Sequence, residues 1–320
     1  MSTPDYLKLK GFETVFDTTI NNELQDNIVE FIDWGLLEKG NYFNISKDQQ
    51  SSRGNDYSKL KMSTNSNFPA GKAWEGFRKN WVWQSGVGFT PPPLVSSDPD
   101  YPGVTGVYVD NVFYSRDTTG DYAHNIDHFN GRVVFDNPIP TGSLVQAEFS
   151  YRYMNVVYAA NVPFIRELQN RSLDQTNNST VVLPPEMRVQ LPAIAVEVIP
   201  RRTFRGYQLG GGQWIYTDVL FHCIAEDAYT RNKMVDITSM QNDKTIYMFN
   251  SNTLATQDDF PRNSFGYLNA NAKRYPDLIN AYGTNTMRFS KNIVQNMDVI
   301  NSNFYAGTVR STIEIIQSNI

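Results

Sequence analysis

The sequence is poor in the residues on which most enzymes and secreted proteins depend. It has one cysteine, Cys223, and three histidines among its 320 residues. A single cysteine excludes a disulfide within the chain, and its apolar surroundings indicate a small buried hydrophobe. Neither a G-x-S-x-G elbow nor a Walker loop, H-E-x-x-H or C-x-x-C motif occurs. The sequence alone therefore predicts no catalytic residue, no metal site and no cofactor.

Long apolar runs and strong charge are also missing. Apolar stretches stay well short of the ~20 residues that span a bilayer, and the first residues lack the apolar core of a signal peptide. Charged residues make up only 19%, with 28 basic against 33 acidic and a net charge of −5. This balance argues against a dedicated nucleic-acid binder, which would show a basic face. We expect a soluble protein made in the cytoplasm, with a polar but weakly charged surface typical of β-rich assembly proteins.

The front of the chain predicts one helix followed by β-structure. Residues 20–39 repeat apolar positions with helical spacing and end before Gly40, a common C-terminal stop. From Trp74 to Ala160 the pattern becomes period two, and Asn130-Gly131 between two apolar runs is a strong hairpin signal. Residues 145–153 alternate. Their odd positions are predicted to face inward (Val145, Ala147, Phe149, Tyr151, Tyr153), and their even positions outward (Gln146, Glu148, Ser150, Arg152). This predicts an antiparallel, sandwich-like or half-barrel domain with one wet face.

The second half predicts a compact unit of strand, Gly-rich hairpin, strand, helix and strand. The return strand 215–226 is apolar on both faces, which indicates a position inside a sheet. Asp227 begins a helix as an N-cap, and residues 244–249 form a short strand. Two further strand-like runs flank Asn301-Ser302-Asn303.

These patterns indicate an α+β chain in three segments. Residues 1–160 form an N-terminal helix and β-sandwich-like domain, 161–185 a helix and linker, and 186–320 a small α/β domain with a long projecting β-hairpin.

Several residues invite a chemical interpretation that their spacing does not support. His124, Asp127 and His128, with Asp121, suggest a metal cluster, but residues four apart on a strand lie about 13 Å apart. His222 and Cys223 are neighbours on a strand, so they point to opposite faces and cannot form a nucleophile–base pair.

The triplet Gly210-Gly211-Gly212 precedes a strand instead of the helix that a phosphate loop needs. The aromatic run Trp74, Phe77, Trp81 and Trp83 could form a sugar platform, although alternate positions in a strand favour a core.

The hairpin around residues 200–214, called the arm below, is the candidate functional segment. It carries basic and apolar side chains together: Arg201, Arg202, Phe204, Arg205, Tyr207, Leu209 and Trp214. The apolar members, together with Ile215, are too apolar for a freely solvated loop, which favours contact with a partner: Phe204, Tyr207, Leu209, Trp214 and Ile215. Two interpretations remain open for the arginines: contact with a neighbouring subunit or passing nucleic acid, or simple solvation of the hairpin.

Two stretches resemble known virion proteins. Residues 126–159 contain an N-G-R-V-x-F hairpin, a P-x-x-G turn and an alternating strand ending in aromatics, and resemble a β-sandwich pattern of tailed-bacteriophage virion proteins. Residues 191–249, from LPAIAVEVIPRR to DKTIYMF, resemble the tail terminator (tail completion) family. Its members place a hairpin before a central strand and a helix around a small mixed sheet. Terminators are usually one small domain, whereas about 180 residues precede the matching unit here.

The resemblance implies a virion neck protein that catalyses no reaction. Tail terminators form a ring, commonly sixfold, that caps the tail tube and presents a surface to the head connector. The implied partners are further copies of the chain, the tail tube, a sheath protein and the head–tail connector. Genomic DNA would pass through the lumen without sequence-specific binding.

Three alternatives remain at this point: another head–tail adaptor or tail accessory protein, a carbohydrate-binding receptor-recognition tail protein, and an enzyme. Exposed coplanar aromatics would favour the second, and convergent carboxylates or histidines in a pocket would favour the third.

Overall fold

The computed structural model describes residues 14, 17–98, 102–159, 190–206, 212–257, 261, 268–269, 271–301 and 304–317. Strands account for 42% of the chain and helices are few, in several antiparallel sheets that include a curled half-barrel. The broad expectation of an α+β chain rich in strands is therefore confirmed. The expected helix at 162–170 and the linker after it lie outside the described residues.

The chain divides into two compact units that do not follow a single boundary along the sequence. Unit 1 comprises residues 1–32, 156–256 and 275–320, and unit 2 comprises residues 33–155 and 257–274. The sequence pattern predicted the N-terminal helix as part of a front domain of residues 1–160, whereas its residues up to Ile32 group with the C-terminal elements.

Unit 1 is organised around a six-stranded sheet of order β10-β11-β12-β15-β14-β13. Its strands are β10 (Asn155–Tyr158), β11 (Ala193–Gly206), β12 (Gln213–Ala225), β13 (Lys244–Phe249), β14 (Gly283–Asn301) and β15 (Phe304–Gln317). The helices within the described residues are α1 (Ile20–Leu37), α2 (Ala228–Ser239), α3 (Ser251–Gln257) and α4 (Tyr275–Tyr282). The predicted inner position of β12 is confirmed, since β11 and β15 pair with it on either side.

Local signals set the ends of these elements as expected. Asp227 is extended at the N-cap of α2, and its side chain accepts a hydrogen bond from the backbone N–H of Thr230. Gly40 follows α1 with φ +79°, the left-handed conformation that ends many helices. The strand predicted at 244–249 is β13, with the same bounds.

One face of the sheet is covered by helices, and we call it the helix face. Cys223 on β12 lies 3.9 Å (Sγ to Oγ1) from Thr238 of α2, and the rings of Phe31 on α1 and Phe289 on β14 lie 6.3 Å apart. Alternate residues of β12 point to this face and are buried: Ile215, Thr217, Val219, Phe221 and Cys223. The residues between them (Trp214, Tyr216, Asp218, Leu220, His222) are half-buried on the other side, which we call the polar face.

In its described residues, unit 2 contains three small antiparallel sheets and an aromatic-rich core. The sheets are ordered β2-β3-β7-β6, β5-β4-β8 and β1-β9. Their strands are β1 (Tyr42–Ile45), β2 (Lys61–Met62), β3 (Ala73–Glu75), β4 (Gly106–Val109), β5 (Val112–Ser115), β6 (His124–Asp127), β7 (Arg132–Phe135), β8 (Val145–Gln146) and β9 (Phe149–Arg152). The rings of Trp81 and Phe149 stack at 4.2 Å in the core.

The hairpin at Asn130-Gly131 is confirmed. Gly131 takes φ +65°, and Asp127 accepts hydrogen bonds from the backbone N–H of Asn130 at 3.1 Å and from Nε of Arg132 at 2.9 Å. The turn is therefore held by a buried carboxylate as well as by backbone geometry.

The predicted wet face of residues 145–153 is wrong. Gln146, Ser150 and Arg152 are buried, whereas Tyr153 is 37% exposed. The guanidinium of Arg152 binds both carboxylate oxygens of Asp33, at 2.7 and 2.9 Å, and donates to Gln84 Oε1 at 2.7 Å. Polar side chains can occupy inner positions here because each finds hydrogen-bond partners from remote parts of the chain.

Candidate assembly surface

The arm begins at a bulge in β11. Val198 pairs with Val219 and Arg202 with Thr217, so three residues, Ile199 to Arg201, face the single residue Asp218. The hydroxyl of Thr217 donates to the carbonyls of Ile199 and Arg201, at 3.1 and 3.4 Å, and holds the bulge closed. Pro200 lies within it, where its lack of an N–H costs no ladder hydrogen bond.

Beyond the bulge, the two strands of the arm differ in their surroundings. β11 and β12 remain paired from Arg202↔Thr217 to Gly206↔Gln213. β12 also pairs with β15 as far as Gln213↔Gln317. Among the described residues, no strand pairs with the outer side of Arg202–Gly206. The first strand of the arm is therefore a sheet edge, while the second lies inside the sheet.

A ladder of apolar side chains crosses the sheet at this level. Successive cross-strand partners are Phe204, Ile215, Ile315, Met287 and Ile246. Directly opposed residues point to the same face, so all five lie on the helix face. Four are at most 5% exposed, but Phe204, the terminal member on the open edge, is 51% exposed. Ile215 was predicted to contact another polypeptide, but its side chain is buried within its own subunit.

The remaining arm residues surround this edge. Arg201 and Arg205 are exposed and Arg202 is half-buried. The Arg205 guanidinium lies 5.5 Å from the centre of the Tyr216 ring, which stacks at 6.2 Å on Trp214 with an interplanar angle of 15°. Trp214 is thus partly covered by its own subunit. Tyr207 and Leu209 lie outside the described residues, as do Gly210 and Gly211.

Several charged side chains of the polar face are paired with groups of opposite sign. Arg310 contacts Asp218, and the Arg288 guanidinium lies between Asp243 and Glu314, 3.5 Å from the latter. His222 Nε2 lies 2.8 Å from Glu197 Oε2. Such exposed pairs add little to the free energy of folding. Because a carboxylate lies beside each of these arginines, however, their positive charge attracts phosphate only weakly.

The residues that suggested chemistry have structural partners. His124 Nδ1 lies 2.9 Å from the Tyr122 carbonyl, and His128 Nε2 accepts from the backbone N–H of Val104 at 3.1 Å. Asp127 is paired with Arg132. Across the described part of the chain, no three His, Cys, Asp or Glu side chains converge as metal ligands do. Burial raises the pKa of the Cys223 thiol to about 12, so it is not an activated nucleophile.

The aromatic run divides between core and surface. Trp74, Trp81 and Trp83 are buried, and Phe77 is 44% exposed. Phe77 belongs to a surface cluster with Tyr57, Tyr151, Phe43 and Tyr153, whose ring planes meet at 30° to 82°. These rings are not coplanar, unlike a platform on which a sugar ring stacks.

Two carboxylates on α1 have pKa values well above those of free side chains. Burial, together with the nearby Asp26 charge, raises the pKa of Glu23 to about 7. Burial raises the pKa of Asp26 to about 6, despite hydrogen bonds to Ser251 and Tyr158 that favour its charged form. The two residues are one helical turn apart.

Sequence reasoning missed a second exposed edge in the sheet. β13 pairs with β14 only up to Phe289, and the backbone N–H of Asn292 donates to Asn242 Oδ1 at 3.0 Å. After Asn292, β15 is the only strand of the described chain that pairs with β14. Ile293, Val294 and Met297 on this stretch are 43–44% exposed. The apolar run 292–300 was the available signal, but the sequence does not say which strand ends where.

None of the known protein-family models matches the chain, and no curated protein matches it at a significant level. No helix in the described ranges is long and apolar enough to cross a membrane.

Proposed function

We propose that this protein is a structural component of a tailed-bacteriophage neck and acts as the tail terminator. Copies of the chain form a closed ring that caps the tail tube and joins it to the head connector. The ring is hexameric, as is common in the tail terminator family. The finer fold assignment belongs to the same proposal: a β-sandwich-like front domain and a tail-terminator-like α/β domain that carries the arm. The protein acts in the virion after assembly in the host cytoplasm.

The observation that carries the proposal is the exposure of Phe204 at the end of an otherwise buried ladder. An open edge with a terminal aromatic is a surface that a further strand can cover. A heterologous contact of this kind generates a ring when the rotation between copies closes. The two end faces of such a ring differ, and this difference lets it stop tube growth on one side and receive the connector on the other.

The charges of the polar face agree with a passive conduit. The cations Arg288 and Arg310 face carboxylates, so in a lumen lined by this face these two side chains would attract phosphate only weakly. Affinity for nucleic acid comes mainly from unpaired basic groups that contact phosphates. DNA would then pass through without being held, as delivery of a genome requires.

Negative-stain electron microscopy of the purified protein, alone and mixed with tail tubes, tests the proposal. We expect rings alone and rings attached to one end of each tube. F204S should weaken ring formation while the circular dichroism spectrum is unchanged. The terminator role would be rejected if the protein remained a monomer and did not bind tubes. It would also be rejected if the protein bound along the tube wall. Rings that bind a connector but no tube would favour the adaptor alternative.

A further inference from the structure

We propose that the open edge of β11 in one copy pairs with the open edge of β14 in the next copy, so that one continuous antiparallel sheet runs from subunit to subunit. This inference rests on the proposed function for the existence of a ring, and it names the contact that builds it. The occupant of each edge is a second copy of this chain.

The two edges lie at opposite ends and opposite sides of the same sheet. On the β11 side, no strand of the described residues pairs with the outer side of Arg202–Gly206. On the β14 side, β13 covers the strand up to Phe289 and leaves the stretch after Asn292 uncovered. Each open edge therefore lies next to the end of a shorter strand, β10 on one side and β13 on the other. The space beyond that shorter strand can receive the edge strand of the next copy.

The strand directions fit this pairing. β11, β12, β15 and β14 alternate in direction, because each neighbouring pair is antiparallel. β14 consequently runs opposite to β11. If the next copy continues the sheet with the same face toward the helices, its β14 lies antiparallel to β11 of the first copy. No change of sheet face or strand direction is needed.

Both edges expose an apolar side chain at the end of a buried ladder on the helix face. One ladder ends at Phe204, as described above. The other ladder consists of Val196, Phe221, Val309 and Val294. Its first three members are at most 1% exposed, and Val294 is 44% exposed. Met297, opposite Gly307, lies on the same face and is 43% exposed. Pairing the edges brings Phe204 beside Val294 and Met297 and completes both ladders.

The charges favour unlike edges over like edges. The stretch 199–206 carries Arg201, Arg202 and Arg205 and no acid, whereas 293–301 carries Asp298 and no base. Two β11 edges in a twofold contact would place arginines against arginines, which destabilises strand pairing. The contact is therefore heterologous.

The contact displaces successive copies along the strand direction, since the paired edges lie at opposite ends of the sheet. A ring closes with such a stagger only when the strands are inclined to its axis, as in β-barrels. With another inclination the same contact builds an open filament.

Disulfide trapping between separate variants tests the pairing. F204C is mixed with V294C or with M297C in the full-length protein and oxidised. We expect a mixed dimer for at least one of these pairs and little dimer from any single variant alone. The native Cys223 does not interfere, because it is buried and its pKa is raised. Tyr247 is 66% exposed on β13, so F204C mixed with Y247C is the matched control, and we expect it to give no dimer.

Each outcome bears on the pairing or on the ring. F204C that dimerises with itself as readily as with the β14 variants would overturn the heterologous contact. No disulfide from any mixture at high concentration, with every variant folded by circular dichroism, would overturn it as well. The double variant F204C/V294C separates the two proposals: oxidised ladders that stop at a fixed number of copies support a ring. Ladders without limit keep the edge pairing and reject the ring.

Discussion

Phe204 lies directly opposite Ile215 on the same face of the sheet, yet one side chain is 51% exposed and the other 2%. Two neighbours in one ladder therefore have different roles. Ile215 belongs to the core of its own subunit, and Phe204 is available to another chain.

We expect these two positions to respond differently to truncation. F204S should lower the free energy of unfolding by less than about 1 kcal/mol, because about half of the Phe204 side chain is already exposed to water in the monomer. I215A should lower it by roughly 2–4 kcal/mol, because a buried side chain is replaced by a cavity. Urea unfolding at a concentration where the protein is monomeric measures both. Equal losses would mean that Phe204 is core and that the edge is not a docking surface.

The ion pair between Arg152 and Asp33 should be necessary for the stability of unit 2. R152A leaves a carboxylate without its partner and should lower the free energy of unfolding by about 3–5 kcal/mol. R152K should recover only part of this loss, because an ammonium group cannot reproduce the two parallel hydrogen bonds.

Arg310 provides the matched control for that prediction. It also pairs with an aspartate, Asp218, but its side chain is 44% exposed. R310A should cost less than about 1 kcal/mol in the same denaturation experiment. Similar costs for R152A and R310A would contradict the assignment of the Arg152 pair to the interior.

Stability should fall as the pH rises through the range where Glu23 and Asp26 ionise. Their pKa values in the folded chain, about 7 and about 6, lie above the ordinary values of 4.5 and 3.8. The folded state therefore binds protons more tightly than the unfolded state, and this contribution is full below pH ~4 and lost above pH ~7. Each shift corresponds to at most roughly 3 kcal/mol.

Chemical denaturation at pH 5 and pH 8 measures this dependence. E23Q with D26N should flatten the curve and raise stability at pH 8. A wild-type curve already flat between these pH values would show that the two carboxylates are well solvated.

Gly131 should not tolerate alanine. Its φ of +65° disfavours a Cβ, and an added Cβ would lie 2.3 Å from the Arg78 carbonyl oxygen. We expect G131A to lower the free energy of unfolding by more than about 2 kcal/mol.

Gly120 is the control, since it has φ +86° with open space around the added carbon. G120A should cost only the ~1 kcal/mol of the backbone conformation. Equal costs would exclude the steric contribution at the hairpin.

Features with local causes followed from the sequence. The helix from Ile20, the turn at Asn130-Gly131, the N-cap at Asp227 and the strand at 244–249 depend on residues within a few positions of each other. Their spacing and their turn or capping residues therefore suffice to predict them.

The burial of Arg152 could not be predicted in this way. Alternation placed it outward, because a charged residue on a strand normally faces water. Its partner Asp33 lies 119 positions earlier, and only the folded chain brings them together. The same holds for the arm, whose second strand is covered by β15 about a hundred residues later, so that Ile215 becomes core.

The amino-acid sequence by itself determined the classes of element, the turns and the absence of a recognisable catalytic motif, since these follow from local geometry and residue chemistry. The tertiary structure alone decided which edges of the sheet are left uncovered and which apolar side chains end there. This division has a physical reason: strand pairing joins residues distant in sequence, and whether a side chain is buried depends on the strand that lies beside it.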